Sequence, residues 1–259
     1  MEELVPMLSV FLLVFVRVSA FFVTMPFFSY RTIPTMYRIG LAFFLSWLMY
    51  YTIDVPAFSI NGEYFLLVMK EALVGLLIGL MAYIIFSAIQ IAGGFIDFQM
   101  GFAIANVIDP QTGAQSPLVG QYLYTFALLL LLAVNGHHMI LDGIFYSYQF
   151  IPIDQVAIPF GHEGLVEYVI LAFNRMFVIA FQMAIPVIAT LFLVDVTLGI
   201  LARTVPQLNV FVVGFPIKIA VSFIMLMIVM GVILLVVQQL FETMFIVMRD
   251  IMKLIGETR

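Results

Sequence analysis

The sequence predicts an all-α integral membrane protein made of apolar helical hairpins with broken helices. Hydrophobic residues make up 64% of the 259 residues, whereas a soluble domain has about 45 to 50%. Charged residues make up only 10%, and several apolar runs approach the roughly 20 residues that cross a bilayer as a helix. A segment rich in glycine, proline and acids lies between two such runs, so interrupted helices are expected.

Six apolar helices are predicted along the chain, and a seventh, amphipathic helix follows them at the C-terminal end. Pro186 lies inside the long fifth helix and is expected to kink it, because a proline ring removes one backbone hydrogen bond. The apolar helices are predicted at Pro6–Phe28, Met36–Ile53, Phe65–Ile91, Leu118–Val134, Glu167–Leu201 and Val210–Leu240.

The segment from Gly93 to Gly120 does not fit a regular lipid-facing helix. It contains Asp97 and Asp109, two prolines and five glycines. Irregular backbone at membrane depth is tolerated only where it is buried in protein or lines an aqueous path, because lipid cannot satisfy free N–H and C=O groups. The segment is therefore predicted to be a pore element.

The distribution of charge predicts a topology. Arg31, Arg38 and Arg203 are expected on the cytoplasmic side, and the acidic region 135–168, which has no Lys or Arg, is expected outside. The basic C-terminal tail should also be cytoplasmic, although a sixth full crossing would place it outside. We therefore expect Val205–Arg259 to form a hairpin that enters the membrane and returns. Its bends are predicted at Val213–Pro216 and at Gln238–Gln239.

The C-terminal segment predicts an amphipathic helix from Phe241 to Ile255. Its apolar residues recur every three or four positions, and its charged residues fall on other faces. Two interpretations remain open: the helix lies in the membrane interface, or it docks on a protein partner, which a methionine-rich face favours. The apolar stripe consists of Phe241, Met244, Phe245, Met248, Met252 and Ile255.

Charged residues inside the apolar runs are energetically costly. Placing Arg17, Asp195 or Lys218 at the bilayer centre would cost about 2.5 to 3.5 kcal/mol each. One interpretation is that such residues pair with carboxylates or carbonyls of neighbouring chains, or that their helices lie outside the hydrocarbon. The other interpretation is that they form a proton or ion relay. Lys70 and Glu71 are expected at a membrane interface.

Composition and motifs exclude several classes of function. The net charge of −5 argues against nucleic acid binding, and the lack of cysteine excludes disulfides and thiolate metal sites. His137 and His138 are interpreted as part of a turn and not as metal ligands, and no cofactor is expected. No nucleophile, phosphate loop or carboxylate pair is evident, so catalysis is not expected. The acidic start lacks the basic region of a signal peptide, so the first helix is expected to be retained.

Four groups of motifs together resemble the FliR family, the flagellar subunits of the type III secretion export gate, whose injectisome relatives are called SctT. Their order and spacing cover the chain from about residue 90 to 220. The motifs are Ile96–Ala103 followed by Asp109–Gly113 and Gln115–Ser116, then Asn135–His138, Pro206–Phe211 and Gly214–Ile219.

The resemblance implies a structural subunit in a helical, multi-subunit export gate of the bacterial inner membrane, within the flagellar basal body. One copy would join five FliP-like and four FliQ-like subunits, and FlhB-like and FlhA-like export components, unfolded export substrates and membrane lipids would be further partners. The chain would be a single membrane domain, 1–259, with residues 1–200 similar to FliP. Residues 201–259 would form a FliQ-like hairpin and the C-terminal helix. Flagellar and injectisome roles both remain open.

The resemblance also implies two sets of site residues. A central loop would act as a plug of the conduit, and a second set would contact other subunits. The plug residues would be Asn106, Ile108, Asp109, Pro110, Gly113, Gln115 and Ser116. The interface residues would be Gly101, Phe102, Pro206, Gln207, Asn209, Gly214, Pro216, Lys218, Met248 and Met252.

Two other functions remain as alternatives. The chain could be an ion-coupled secondary transporter with Arg17, Asp97 and Asp195 in its pathway, since broken helices are common in such proteins. No inverted repeat is evident, however, and the carboxylates do not recur symmetrically. The second alternative is a passive scaffold for another pore.

Overall fold

The computed structural model describes residues 4–29, 33–53, 58, 61–102, 107–108, 115–155, 163–207 and 209–256. Within these residues the fold is helical, as predicted, with one antiparallel pair of two-residue strands. The helices are α1 (Leu4–Thr24), α2 (Thr35–Tyr50), α3 (Gly62–Phe86), α4 (Ala88–Met100), α5 (Leu118–Ala133), α6 (Gly136–Phe150), α7 (Glu163–Thr204) and α8 (Val210–Gly256). The strands are β1 (Val107–Ile108) and β2 (Gln115–Ser116).

Three stretches of the described residues are long and apolar enough to cross a membrane. They are Gly62–Met100, which comprises α3 and α4, then Gly164–Thr204 and Val212–Gly256. Helices α5 and α6, separated by a break at Val134–Asn135, qualify together as a fourth, broken span. This helical content confirms the predicted class of membrane protein.

The predicted hairpin at Val205–Arg259 is wrong, because α8 is one helix of 47 residues. Gln238 and Gln239 do not bend it, since glutamine is a good helix former. Pro216 lies near the start of α8 and removes one backbone hydrogen bond there without ending the helix.

Two further boundaries differ from the sequence prediction. The predicted helix Phe65–Ile91 is two helices that meet at Ser87, and α4 continues to Met100, so the irregular segment begins at Gly101 and not at Gly93. His137 and His138 lie in the first turn of α6 and not in a turn between elements. The left-handed conformation of Asn135, with φ of 56°, precedes that helix.

The chain divides into two compact units that alternate along the sequence. The first contains α1, α2, α3 and α6, the start of α7 and the end of α8; the second contains α4, α5, the rest of α7 and the greater, N-terminal part of α8. The predicted correspondence of residues 1–200 and 201–259 to two kinds of subunit remains a prediction.

The core of the first unit is the packing of α1 against α3. Gly75 and Gly79 allow the two backbones to approach closely, as their small-xxx-small spacing indicates. A Cβ at Gly75 would collide with the carbonyl oxygen of Arg17, and one at Gly79 would collide with the hydroxyl of Thr24. That hydroxyl is 3.2 Å from the carbonyl oxygen of Leu76, to which it donates a hydrogen bond across the helix pair.

The core of the second unit is the packing of α4 against α5. Here too glycine permits the contact, since a Cβ at Gly93 would collide with the backbone of Gly120. Ile89 and Ile96 of α4 are fully buried. Phe95 of α4 also contacts Phe181 of α7 edge to face, with the ring centroids 6.4 Å apart. The α4–α5 hairpin therefore holds the connecting loop on a rigid base.

Candidate functional site

The loop between α4 and α5 begins at Gly101, which ends α4 in the left-handed conformation with φ of 88°. Its N–H bonds back to the carbonyl oxygens of Asp97 and Phe98. A side chain at Gly101 would be strained, because L-residues rarely adopt this φ. It would also meet the ring of Phe215 at 2.9 Å. Glycine thus fixes the direction in which the chain leaves α4.

A short antiparallel ladder lies within the loop. Val107 pairs with Ser116 and Ile108 with Gln115, so three of the predicted plug residues belong to β1 and β2. The other predicted plug residues lie outside the described residues; they are Asn106, Asp109, Pro110 and Gly113. The plug assignment remains a prediction.

The loop rejoins the helical frame at α5, where a carboxylate from α4 meets the helix start. The two carboxylate oxygens of Asp97 lie 3.3 and 3.2 Å from the backbone nitrogen of Val119 and accept its hydrogen bond. Asp97 is only 3% exposed. Asp97 is therefore buried between the two helices, and its hydrogen bond to the α5 backbone explains why an acid is tolerated in this apolar helix pair.

A polar cluster connects α4, α7 and α8 within the second unit. Asp195 of α7 forms an ion pair of 2.9 Å with Lys218 of α8, and Gln99 of α4 donates a hydrogen bond of 2.9 Å to the same carboxylate. The Asp195 side chain is 38% exposed and that of Lys218 is 19% exposed. Lys218, predicted to contact another subunit, thus has a partner in its own chain.

An apolar groove with a volume of about 640 Å³ lies beside the base of the loop. Phe102, the first residue after the glycine cap, lines it together with residues of α5 and α8. None of the described residues that line the groove is charged. Its other lining residues are Leu118, Val119, Tyr122, Phe223, Leu226, Met227 and Met230.

The remaining predicted interface residues near the loop lie at the α7–α8 connection. Pro206, Gln207 and Asn209 are exposed there, and the Asn209 side-chain oxygen accepts a hydrogen bond of 3.4 Å from the N–H of Val212, in the first turn of α8. Pro216 is exposed as well. These positions are accessible in the single chain, and their contact with other subunits remains a prediction.

Gly214 differs from its exposed neighbours because it is buried. A Cβ at this position would approach the Leu198 side chain to 2.9 Å. Gly214 therefore permits close packing of α8 on α7 within the chain, a role that the sequence alone did not reveal.

A second polar cluster, here called the buried ion cluster, lies in the first unit and consists of Arg17, Lys70 and Glu71. The Nε and NH2 groups of Arg17 donate to the Glu71 carboxylate at 2.5 and 2.9 Å, and Lys70 Nζ lies 2.5 Å from the same carboxylate. All three side chains are at most 3% exposed. Lys70 and Glu71 are therefore buried within the chain, and their position at a membrane interface remains a prediction.

Residues at the C-terminal end of α6 and just after it complete the buried ion cluster. Arg17 also donates to the Ser147 hydroxyl at 3.1 Å and to the Ile151 carbonyl at 2.9 Å, and its guanidinium lies 4.0 Å from the centre of the Tyr148 ring. Lys70 donates to the Pro152 carbonyl at 2.7 Å. Carbonyls at a helix C-terminus carry partial negative charge, so they offset the excess of cations.

The three residues of the alternative transporter pathway each have partners within the chain. Arg17 belongs to the buried ion cluster, Asp97 accepts from the α5 backbone, and Asp195 pairs with Lys218. These contacts match the interpretation of pairing within protein, with the partners in the same chain and not in neighbouring ones.

The C-terminal stretch of α8 packs on α6 within the first unit. Met248 and Met252, predicted to contact another subunit, are 1% and 3% exposed in the single chain. A Cβ at Gly143 would meet the end of the Met248 side chain at 3.2 Å. Gly256 lies against the carbonyl of Phe150 so closely that any Cβ there would collide with it. The methionine stripe is thus largely covered by the chain itself.

The face of α6 that packs against α8 has a periodic pattern of residues that was not recognised in the sequence. Met139, Gly143, Tyr146 and Phe150 recur every three or four residues, as one face of a helix does. They line a groove of about 380 Å³ together with residues of α8. In the sequence, the polar residues between these four positions obscured their helical spacing.

Comparison with known proteins gives a consistent result over nearly the whole chain. The family model described as bacterial export proteins, family 1, matches residues 8–244. The flagellar biosynthetic protein FliR of Bacillus subtilis strain 168 is 58% identical over 257 residues, which cover 99% of each chain. FliR of Escherichia coli K12 is 29% identical over 96% of this chain and 95% of its own. The Yop proteins translocation protein T of Yersinia pestis is 32% identical over 68% of this chain and 66% of its own.

Proposed function

The chain belongs to the bacterial export proteins, family 1, and on that premise we propose that it is a structural subunit of the type III export gate. Membership makes it a membrane protein of flagellar and type III export. In the proposal it forms, with FliP-like and FliQ-like subunits, the conduit that carries unfolded flagellar proteins across the inner membrane. FlhB-like and FlhA-like components are its further partners.

The flagellar role is favoured over an injectisome role by the extent of similarity. The B. subtilis FliR matches the chain over 99% of both lengths, whereas the Yersinia translocation protein matches about two thirds. In this proposal the role is structural, and neither a cofactor nor catalysis is expected.

The observation that carries the proposed mechanism is the attachment of the α4–α5 loop. Its first residue is fixed by the left-handed Gly101, its arms pair through β1 and β2, and its end is fixed at Asp97. A loop held at both ends between apolar helices is suited to close an aqueous path. We assign residues 106–117 as the plug of the conduit.

Deleting Ile108–Gln115 tests this assignment. In the assembled gate, the deletion is expected to raise leakage of ions and small solutes through the membrane, because the loop no longer closes the path. The leak is measured in cells that produce the complete gate, after co-purification with FliP-like and FliQ-like subunits has shown assembly. Thr197→Ala, an exposed change on α7, is the control and should leave the membrane tight.

An assembled deletion variant as tight as the unaltered protein would contradict the plug assignment. Measuring leakage with the purified chain alone in vesicles distinguishes the proposed subunit from the transporter alternative. A transporter should move ions without other subunits, whereas the proposed subunit should not.

A further inference from the structure

We propose that Asp97 is a positioning residue that caps α5 from α4 and so fixes where the loop rejoins the helical frame. The cap itself is independent of the proposed function, and its effect on leakage rests on that function. The proposal starts from the first turn of α5, whose backbone N–H groups have no intrahelical acceptor.

The sequence of α5 supplies no cap of its own. Pro117 precedes the helix and offers no side-chain acceptor, and the first turn contains no acidic residue. Capping by the residue before a helix normally comes from Ser, Thr, Asp or Asn. Unsatisfied N–H groups are costly in an apolar setting, so the start of α5 needs an acceptor from elsewhere.

Asp97 provides that acceptor from 22 residues earlier in the chain. Both of its oxygens face the Val119 N–H, at 3.3 and 3.2 Å from the nitrogen. A negative charge at a helix N-terminus is further stabilised by the helix dipole. The buried position of Asp97 shields this interaction from water and ions.

The geometry of the cap is set by the glycine contact of the same two helices. Gly93 lies one helical turn before Asp97 on α4, and its contact with Gly120 leaves no room for a Cβ. Because the backbones touch there, the short Asp97 side chain reaches the α5 start.

Helix α4 therefore holds both ends of the loop. Gln99 bonds to Asp195 just before the loop begins, and Asp97 bonds to the α5 start just after the loop ends. The residues that make these two contacts lie within one turn of α4. With the plug assignment, loss of the cap should loosen the loop at its C-terminal end.

The test compares Asp97→Ala and Asp97→Asn with Phe98→Ala in the complete gate. Phe98 is adjacent and 75% exposed, so its change should have little effect. Amide hydrogen exchange is measured at residues 118–120. We expect exchange roughly fivefold faster in Asp97→Ala, as for the loss of a typical cap. A smaller increase is expected in Asp97→Asn, which keeps an acceptor oxygen but loses the charge.

Unchanged exchange at residues 118–120 in both Asp97 variants would overturn the cap. Leakage measured on the same samples separates the two proposals. Faster exchange with increased leakage supports the cap and its effect on the plug, whereas faster exchange in an equally tight membrane supports the cap and contradicts its effect on leakage. Exchange that rises equally in the middle of α5, at residues 123–131, would show general unfolding and would also overturn the cap.

Discussion

Glu71 stands at the centre of the buried ion cluster, where a single carboxylate faces two cations. Replacing a whole buried ion group by apolar residues is often harmless, but removing one partner leaves uncompensated charge and costs about 3 to 5 kcal/mol. Arg17 and Lys70 are at most 3% exposed, so water cannot solvate them once the carboxylate is gone. The consequence is that a change at Glu71 should cost far more stability than a change at Glu63, the other acid of α3.

We expect Glu71→Gln to lower the free energy of unfolding by about 3 to 5 kcal/mol for this reason. Glu63→Gln, an exposed change in the first turn of α3, is the matched control and should change stability by less than about 0.5 kcal/mol. Thermal unfolding in detergent, followed by circular dichroism, measures both variants. Equal melting temperatures of the two variants would contradict the role assigned to Glu71.

The sequence predicted that Arg17 is paired but did not identify Glu71 as its partner. The pairing depends on the register of α1 against α3, which the close approach at Gly75 and Gly79 sets. Glycine spacing predicts such an approach but not which residues it brings opposite each other. For the same reason the sequence placed Asp97 in an irregular pore element and did not identify it as the cap of α5.

At the scale of elements, the C-terminal part of α8 shows what periodicity can and cannot predict. The stripe of Phe241 to Ile255 predicted a helix with one buried face, and the structure contains that helix. Its covering surface, α6, was not recognised, because the start of α6 was interpreted as a turn. Docking of this part of α8 on an FlhB-like or FliQ-like partner remains a prediction and would have to use its exposed faces.

We expect Met248→Asp to detach the end of α8 from α6, because truncating a buried methionine costs about 2 to 5 kcal/mol even before a charge is buried. Ile246→Asp, on the same helix but 42% exposed, should have a much smaller effect. Trypsin cleavage at Arg249 and Lys253 in the purified gate measures release of the helix. Equal cleavage rates in the two variants would contradict the packing of α8 on α6.

At the scale of the whole molecule, the lengths of α7 and α8 bear on the conflict between the number of crossings and the cytoplasmic location expected for the basic tail. The predicted hairpin did not resolve this conflict. Helix α7 has 42 residues and α8 has 47, which at about 1.5 Å per residue correspond to about 63 and 70 Å. The hydrocarbon core of a bilayer is about 30 Å thick. A helix of either length set perpendicular to the bilayer would extend more than about 30 Å beyond the hydrocarbon, so counting apolar helices does not by itself determine the side of the tail.

We expect the α7–α8 connection to lie in water on the cytoplasmic side, as the basic residue Arg203 indicates. The chain has no cysteine, so Gln207→Cys provides a single label site. A membrane-impermeant maleimide should label it in inside-out vesicles and not in intact cells. Phe181→Cys, in the middle of α7, is the control and should stay unlabelled. Labelling of Gln207→Cys only from the outside would contradict this topology.

The buried ion cluster also has a consequence for the time course of synthesis. Arg17 leaves the ribosome 54 residues before Glu71, which at about 5 to 20 residues per second is a delay of about 3 to 11 s. Ser147, which also bonds to Arg17, is synthesised even later, 130 residues after Arg17. During this interval α1 carries an unpaired guanidinium, so the insertion machinery or another subunit must shelter the nascent helix until its own partners arrive.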